Sequence, residues 1–236
     1  MSEVQAAGAR TLRDLTPVEA RVLAVLVEKQ ATVPDTYPMS LNALQSGCNQ
    51  KTARDPVMAL SEPQILAALD ELKSLSLVGE VSGSRVVRYD HNLPRGLAVP
   101  GAAGALLATL MLRGPQTAAE LRANAERLHR FADVSSVEGF LEELAEKTPP
   151  RVIKLARAPG ARESRWTHLL CGPVDPALLV QAAGSGPGMS TGASALADEE
   201  LALLRAEHRQ MQAEIAQLRA QVARLAGELG VSLDDA

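Results

Sequence analysis

The 236-residue sequence has few aromatic side chains and few cysteines. Phe, Trp and Tyr make up only 2% of it, so the core must be aliphatic and alanine-rich, which favours helix-on-helix packing over a sandwich. Cys48 and Cys171 are the only cysteines, and they have no partner at metal or redox spacing. This usage indicates a reducing compartment and no disulfide framework.

Targeting and membrane signals are also missing. The first fourteen residues have neither a basic start nor an apolar stretch, so no export signal is predicted. The apolar run at 97–112 is too short, and too interrupted by Gly and Pro, to span a bilayer. We therefore expect a cytoplasmic protein that does not bind membranes. The net charge of −4 includes no basic block, which argues against tight nonspecific binding to nucleic acid.

Common phosphate-binding and metal-binding motifs are absent from the sequence. It contains no P-loop, HExxH or CxxC pattern. His91 and His168 follow two similar hairpin patterns, which suggests a shared structural task, such as bonding a backbone carbonyl, rather than metal ligation. We therefore expect no enzymatic activity, no cofactor and no metal.

Helix starts are marked by capping boxes, in which a hydroxyl and a Glu or Gln three residues later satisfy each other's backbone donors. Pro17, at the first helical position, strengthens the first box. The four predicted boxes are Thr16/Glu19, Ser61/Gln64, Thr117/Glu120 and Ser135/Glu138.

The order of three helices followed by a β-hairpin occurs twice. The two hairpin patterns, 78–89 and 151–169, end alike, in RYDH and RWTH, which indicates an internal duplication. Copy one carries an insertion or small extra strand at 29–39. The predicted fold class is mostly α with small β-hairpins (α+β), arranged as two tandem winged-helix domains at 12–95 and 100–180. Tyr37, Tyr89 and Trp166 are expected to anchor the core rather than to stack on bases.

The C-terminal quarter has a different pattern. A flexible Gly/Ser-rich linker is predicted at 182–196 and a heptad helix at 197–230. β-Branched residues at a with Leu at d favour a parallel two-stranded coiled coil, and hence a homodimer, over a helix folded back on its own domain. His208 occupies one a position. The predicted oligomerisation residues are Leu201, Leu204, Met211, Ile215, Leu218, Val222, Leu225 and Leu229.

Long motifs tie the chain to a known family. The stretches EKQATVPDTYP, CNQKTARDPVM and RVVRYDH resemble the YceH family of bacterial proteins, and the resemblance covers about residues 12–171. It implies tandem winged helices and leaves the function unassigned, because DNA binding is inferred for that family from the fold alone.

Two functions remain open. A dimeric DNA-associated regulator with modest sequence specificity is the more usual task of the fold, and a protein-interaction scaffold without DNA binding is the alternative. The third helix of each copy is acidic, which disfavours direct base readout and fits the scaffold. Residues 48–62 form a long loop that is either a self-satisfied plug or a binding surface. The candidate residues for nucleic-acid or partner binding are Gln50, Lys51, Arg54, Arg85, Arg88, Arg122, Arg127, Arg130, Arg162 and Arg165.

Overall fold

The computed structural model describes residues 13–81, 86–157 and 162–174. Within these ranges it is a mixed α+β fold, as predicted, with seven α-helices, one 3₁₀ turn and five short strands. The first half contains α1 (Pro17–Thr32), the 3₁₀ turn (Pro34–Thr36), β1 (Met39–Ser40), α2 (Leu41–Cys48), α3 (Glu62–Ser74), β2 (Val78–Val81) and β3 (Arg88–His91). The second half contains α4 (Leu93–Gly96), α5 (Gly101–Arg113), α6 (Ala118–Ala125), α7 (Val134–Glu146), β4 (Val152–Lys154) and β5 (Trp166–His168).

The strands form two small antiparallel sheets. The first has the strand order β1-β3-β2, so the predicted insertion does contribute a strand, and the second pairs β4 with β5. In the second half, an isolated bridge between Gln116 and Trp166 stands where β1 pairs with β3 in the first. The order of three helices followed by two antiparallel strands therefore occurs twice, as the sequence predicted.

The two halves also share individual contacts. Arg88 Nη1 donates to the carbonyl of Pro38 at 2.8 Å, and Arg165 Nη1 donates to the carbonyl of Pro115 at 2.9 Å. In each half this carbonyl lies two residues before the N-cap of the second helix. The aromatic residues that follow the two arginines are buried in the core, which confirms the prediction for Tyr89 and Trp166.

Most helix starts agree with the predicted boxes. Thr16 Oγ1 accepts from the Glu19 backbone N–H at 3.2 Å, and the Glu19 carboxylate accepts from the Thr16 N–H at 2.9 Å. The boxes at Ser61 and Thr117 are also present. The box at Ser135 is wrong: α7 begins at Val134 and Asp133 caps it, accepting from the Ser136 N–H at 2.7 Å. A charged carboxylate two residues upstream is a stronger acceptor for the free helix donors than a serine hydroxyl.

The two halves meet along their first helices. α1 packs against α5, and apolar residues of both helices, including Leu23, Leu26, Leu106 and Leu107, are fully buried. Two backbone hydrogen bonds also join the halves: the Asp55 N–H donates to Leu112 O, and the Leu15 N–H donates to Leu170 O, both at 2.7 Å. The described residues therefore share one hydrophobic core.

The predicted linker at 182–196 and the heptad helix at 197–230, with its eight oligomerisation residues, lie outside the described residues. Among the helices that are described, none combines the length and the apolar character needed to cross a bilayer.

Candidate functional site

The long loop between α2 and α3 is closed by side chains of its own ends. Asn49 Nδ2 donates to Leu60 O at 2.9 Å, and the Leu60 N–H donates back to Asn49 Oδ1 at 2.7 Å. Gln45 donates to the same carbonyl at 3.1 Å. Leu60 is buried, whereas Val57 is 57% exposed.

Arg54 holds the middle of the loop from inside the protein. Its guanidinium is fully buried, and it donates to the Glu28 carboxylate at 2.6 and 3.1 Å. It also donates to Gly47 O at 3.1 Å and to Gln50 Oε1 at 2.8 Å. Arg54 and Gln50 are therefore not the spare groups that the sequence led us to expect. They satisfy polar groups of the loop from within, as the plug interpretation expects, while Lys51 of the same loop is exposed.

The electrostatics of this cluster keep the Glu28 carboxylate charged and the Cys48 thiol neutral. Burial acts to raise the pKa of Glu28, but hydrogen bonds and charge attraction from Arg54, with Lys29, lower it overall. Burial raises the pKa of the neighbouring Cys48 thiol to about 12. A thiol in that state is inert, so Cys48 is a packing residue and not a nucleophile.

The arginines of the two hairpins are structural as well. Arg88 bonds the Pro38 carbonyl, and Arg165 bonds both the Pro115 carbonyl and, at 3.2 Å, Glu120. Arg88 is therefore engaged with neutral carbonyl oxygens, whereas Arg165 also has a carboxylate partner. Arg85 lies outside the described residues.

The remaining predicted cations are on the surface. Lys51, Arg127, Arg130 and Arg162 are exposed, and exposed Arg122 donates to Ala132 O at 3.1 Å. α6 ends at Ala125, where the backbone tightens and the Leu128 N–H donates to Ala125 O at 2.8 Å. Arg127 and Arg130 consequently lie in the turn before α7 and not on α6.

The two equivalent histidines do not share the expected carbonyl bond. His91 Nδ1 accepts from the Leu93 N–H at 3.3 Å, and its Nε2 lies 2.8 Å from Gln30 Oε1. The Nδ1 of His168 is buried and has no hydrogen-bond partner among the described residues, and burial lowers the pKa of His168 to about 4. Within the described part of the chain, no group of three His, Cys, Asp or Glu side chains is placed to hold a metal.

The outer face of α7 is strongly acidic. Glu142, Glu143 and Glu146 are exposed, Glu138 is half-buried, and none of the four has an ion-pair partner among the described residues. The nearest cation in sequence, Lys147, donates to Ala98 O at 3.0 Å. On α3 the acids are partly neutralised, since Lys73 bridges Asp70 and Glu80.

A cavity of about 560 Å³ opens where the two halves meet. Its walls come from the first turns of α1, the loop around Asp55, the C-terminal end of α5 and residues 165–174. Arg21, which is 1% exposed, lines it and donates to Cys48 O at 3.2 Å and to Pro56 O at 2.6 Å. Our sequence reasoning missed this residue, although a signal exists: Arg21 stands three residues after Val18 and four before Val25, on the apolar face of α1.

Comparisons with known proteins agree on one family. The family model described as "Protein of unknown function, DUF480" matches residues 15–161. A "UPF0502 protein" of Leptothrix cholodnii is 74% identical over 95% of this chain and 99% of its own length. Relatives with the same description from Cupriavidus metallidurans and Burkholderia vietnamiensis are each 59% identical, over 94% and 95% of this chain and 89% and 93% of their own lengths.

Proposed function

The chain belongs to the DUF480 family, and we propose that it is a non-enzymatic tandem winged-helix protein that binds a protein partner. The repeated order of three helices and an antiparallel strand pair supports the tandem winged-helix architecture, which the YceH resemblance also implies. A dimer formed through the C-terminal heptads completes the proposal.

The acidic face of α7 is the observation that carries this proposal. In a winged helix the third helix is the one that enters the major groove. Glu138, Glu142, Glu143 and Glu146 project from α7 without ion-pair partners among the described residues. Four carboxylates brought against the phosphate backbone would be repelled, whereas a basic protein surface would be attracted to them.

The internal use of the arginines adds to this argument. A DNA-binding winged helix needs free cations on its wings or near its helix ends. Arg54, Arg88 and Arg165 instead hold backbone carbonyls or carboxylates of their own chain.

DNA binding is the second candidate, and one specific observation favours it. Arg127 and Arg130 are exposed in the turn before α7, and Arg122 is exposed on α6. This is the region from which helix-turn-helix proteins contact phosphates. The two candidates thus use different residues, which makes them separable.

The experiment compares two double variants of the full chain: Glu142→Lys/Glu143→Lys and Arg127→Ala/Arg130→Ala. Wild-type protein is used as bait, the recovered partner is purified, and its affinity for wild type and both variants is measured across a salt series. In parallel, anisotropy of labelled genomic DNA is measured with the same three proteins.

We expect the partner to lose affinity for the glutamate variant and to keep it for the arginine variant, because only the first reverses the acidic face. We also expect no salt-sensitive DNA binding by the wild type. The DNA candidate gives the reverse pattern: binding that falls with salt, and a salt slope smaller by about 2 in the arginine variant, since two phosphate contacts are removed. That second pattern would replace our proposal.

A further inference from the structure

The cavity between the two halves has the size and lining of a small-molecule site. Its volume of about 560 Å³ lies within the range typical of ligand pockets. Ala20, Leu110 and Met111 supply apolar wall, and Arg21, Arg165 and His168 supply the polar groups. An apolar pocket with a few convergent polar groups is the usual form of a site for a small organic ligand.

Arg21 is the unusual group in this wall. Among the described residues its guanidinium forms no salt bridge, and its Nε is buried without a hydrogen-bond partner. Arg54, the other buried arginine of the first half, has the Glu28 carboxylate at 2.6 Å. Buried charges in proteins are normally paired. Arg54 follows this rule, and Arg21 does not. Arg21 retains a charge that the chain does not neutralise by contact.

Charges of both signs surround Arg21. Burial, the largest effect, and repulsion from Arg54 lower the Arg21 pKa, and attraction from Asp55 and Glu28 offsets part of that lowering. The N-terminal turn of the sixteen-residue helix α1, with its partial positive charge, faces the same cavity through Pro17 and Ala20. Arg165 also lines the cavity, but Glu120 balances its charge.

Other groups in the cavity wall limit the charge that a ligand can carry. Asp55 lines the cavity with an exposed carboxylate, which would repel negative charge on any part of a ligand that lies near it. His168 is neutral at pH 7, because burial lowers its pKa to about 4, so its imidazole offers hydrogen bonding without charge. The wall therefore suits one negative charge on an otherwise apolar molecule.

We propose that this cavity binds a small organic monocarboxylate, with the apolar part against Ala20, Leu110 and Met111 and the negative charge in the field of Arg21. Because Arg21 is almost covered and has no ion-pair partner among the described residues, its charge acts on the ligand from just behind the wall, where the low dielectric strengthens the attraction. The site joins α1 of one half to α5 and β5 of the other, so its occupancy would stabilise their contact. This inference is independent of the partner proposed above.

Phenylacetate and phenylacetamide form a matched pair of probes, since they share shape and differ in charge. We expect phenylacetate to bind the full-length chain at least tenfold more tightly in ligand-observed NMR titrations. No phenylacetate binding, or equal binding of the two probes, would overturn the proposal.

Two variants locate the site. Arg21→Gln keeps hydrogen-bond donors but removes the charge, so the preference for the acid should fall to about one while the amide binds as before. Because Arg21 also holds two carbonyls, this variant could unfold, and Met58→Trp provides a second test. Met58 lines the cavity and is half-buried, so the larger ring should block both probes.

Val57→Trp is the matched control for that second variant. Val57 is the preceding residue, is 57% exposed and is not part of the cavity wall, so both probes should bind it as they bind wild type. Circular dichroism verifies that each variant is folded. Phenylacetate binding that survives Met58→Trp in a folded protein refutes the proposed location.

Discussion

Replacing Arg54 with methionine tests whether the loop between α2 and α3 is held from inside. The substitution removes a fully buried guanidinium but keeps much of its apolar stem. Glu28, whose side chain is only 15% exposed, would lose its closest counter-charge and keep only Lys29 at 3.2 Å. The carbonyl of Gly47 and the Gln50 side chain would lose a donor as well.

The expected cost follows from this geometry. Breaking a buried ion pair by removing one partner typically costs about 3–5 kcal/mol, because the other charge stays buried and uncompensated. We therefore expect Arg54→Met to lower the free energy of unfolding by about that amount. Urea denaturation of the full chain measures it, with circular dichroism as the probe.

Lys51→Met is the control, since Lys51 is exposed in the same loop and a surface substitution should change stability by less than about 0.5 kcal/mol. The double variant Glu28→Gln/Arg54→Met completes the cycle. Because it removes the stranded charge, it should be more stable than Arg54→Met alone. A loss below about 1 kcal/mol for Arg54→Met, or a loss equal to that of Lys51→Met, would refute the internal role of Arg54.

Two further predictions concern the second half and the tail. The folded-state pKa of His168, at about 4, lies below its usual value near 6.5, so the unfolded chain binds the additional proton and stability should fall, by up to about 3 kcal/mol, as the pH drops from 6.5 to 4. His168→Phe should flatten this part of the stability profile, and an unchanged pH dependence would contradict the assignment. Deleting residues 196–236 should convert a dimer into a monomer, as measured by light scattering. An unchanged oligomeric state would contradict the coiled-coil proposal.

Local signals in the sequence predicted much of the fold. The hydroxyl–carboxylate spacing at Thr16 and Thr117 was sufficient because a capping box involves only four consecutive residues. The similar endings RYDH and RWTH predicted two equivalent hairpins, and the arginines of both indeed bond equivalent carbonyls. At Asp133 the same local reasoning was wrong, because two acceptors competed for one helix start.

Tertiary contacts explain what sequence reasoning missed at the site. Arg54 was expected at the surface, yet it pairs with Glu28, twenty-six positions earlier in the chain, a distance at which spacing carries no information. Arg21 could have been noticed on the apolar face of α1, but its lack of a counter-charge depends on α5, the loop at Asp55 and β5 meeting around it. The ion pair between Arg54 and Glu28, and the lack of an ion-pair partner for Arg21, both depend on how the elements pack in the folded chain.

The shared core of α1 and α5 limits how a large partner can bind the two halves. Two separately folded modules on a tether could each search for its own contact and tolerate variable spacing between them. Here the first helix of each half is buried against that of the other, and backbone hydrogen bonds from Leu15 and Asp55 fix the joint. A partner that contacts α3 and α7 together would therefore meet them on one folded unit with a shared core and not on two separate modules.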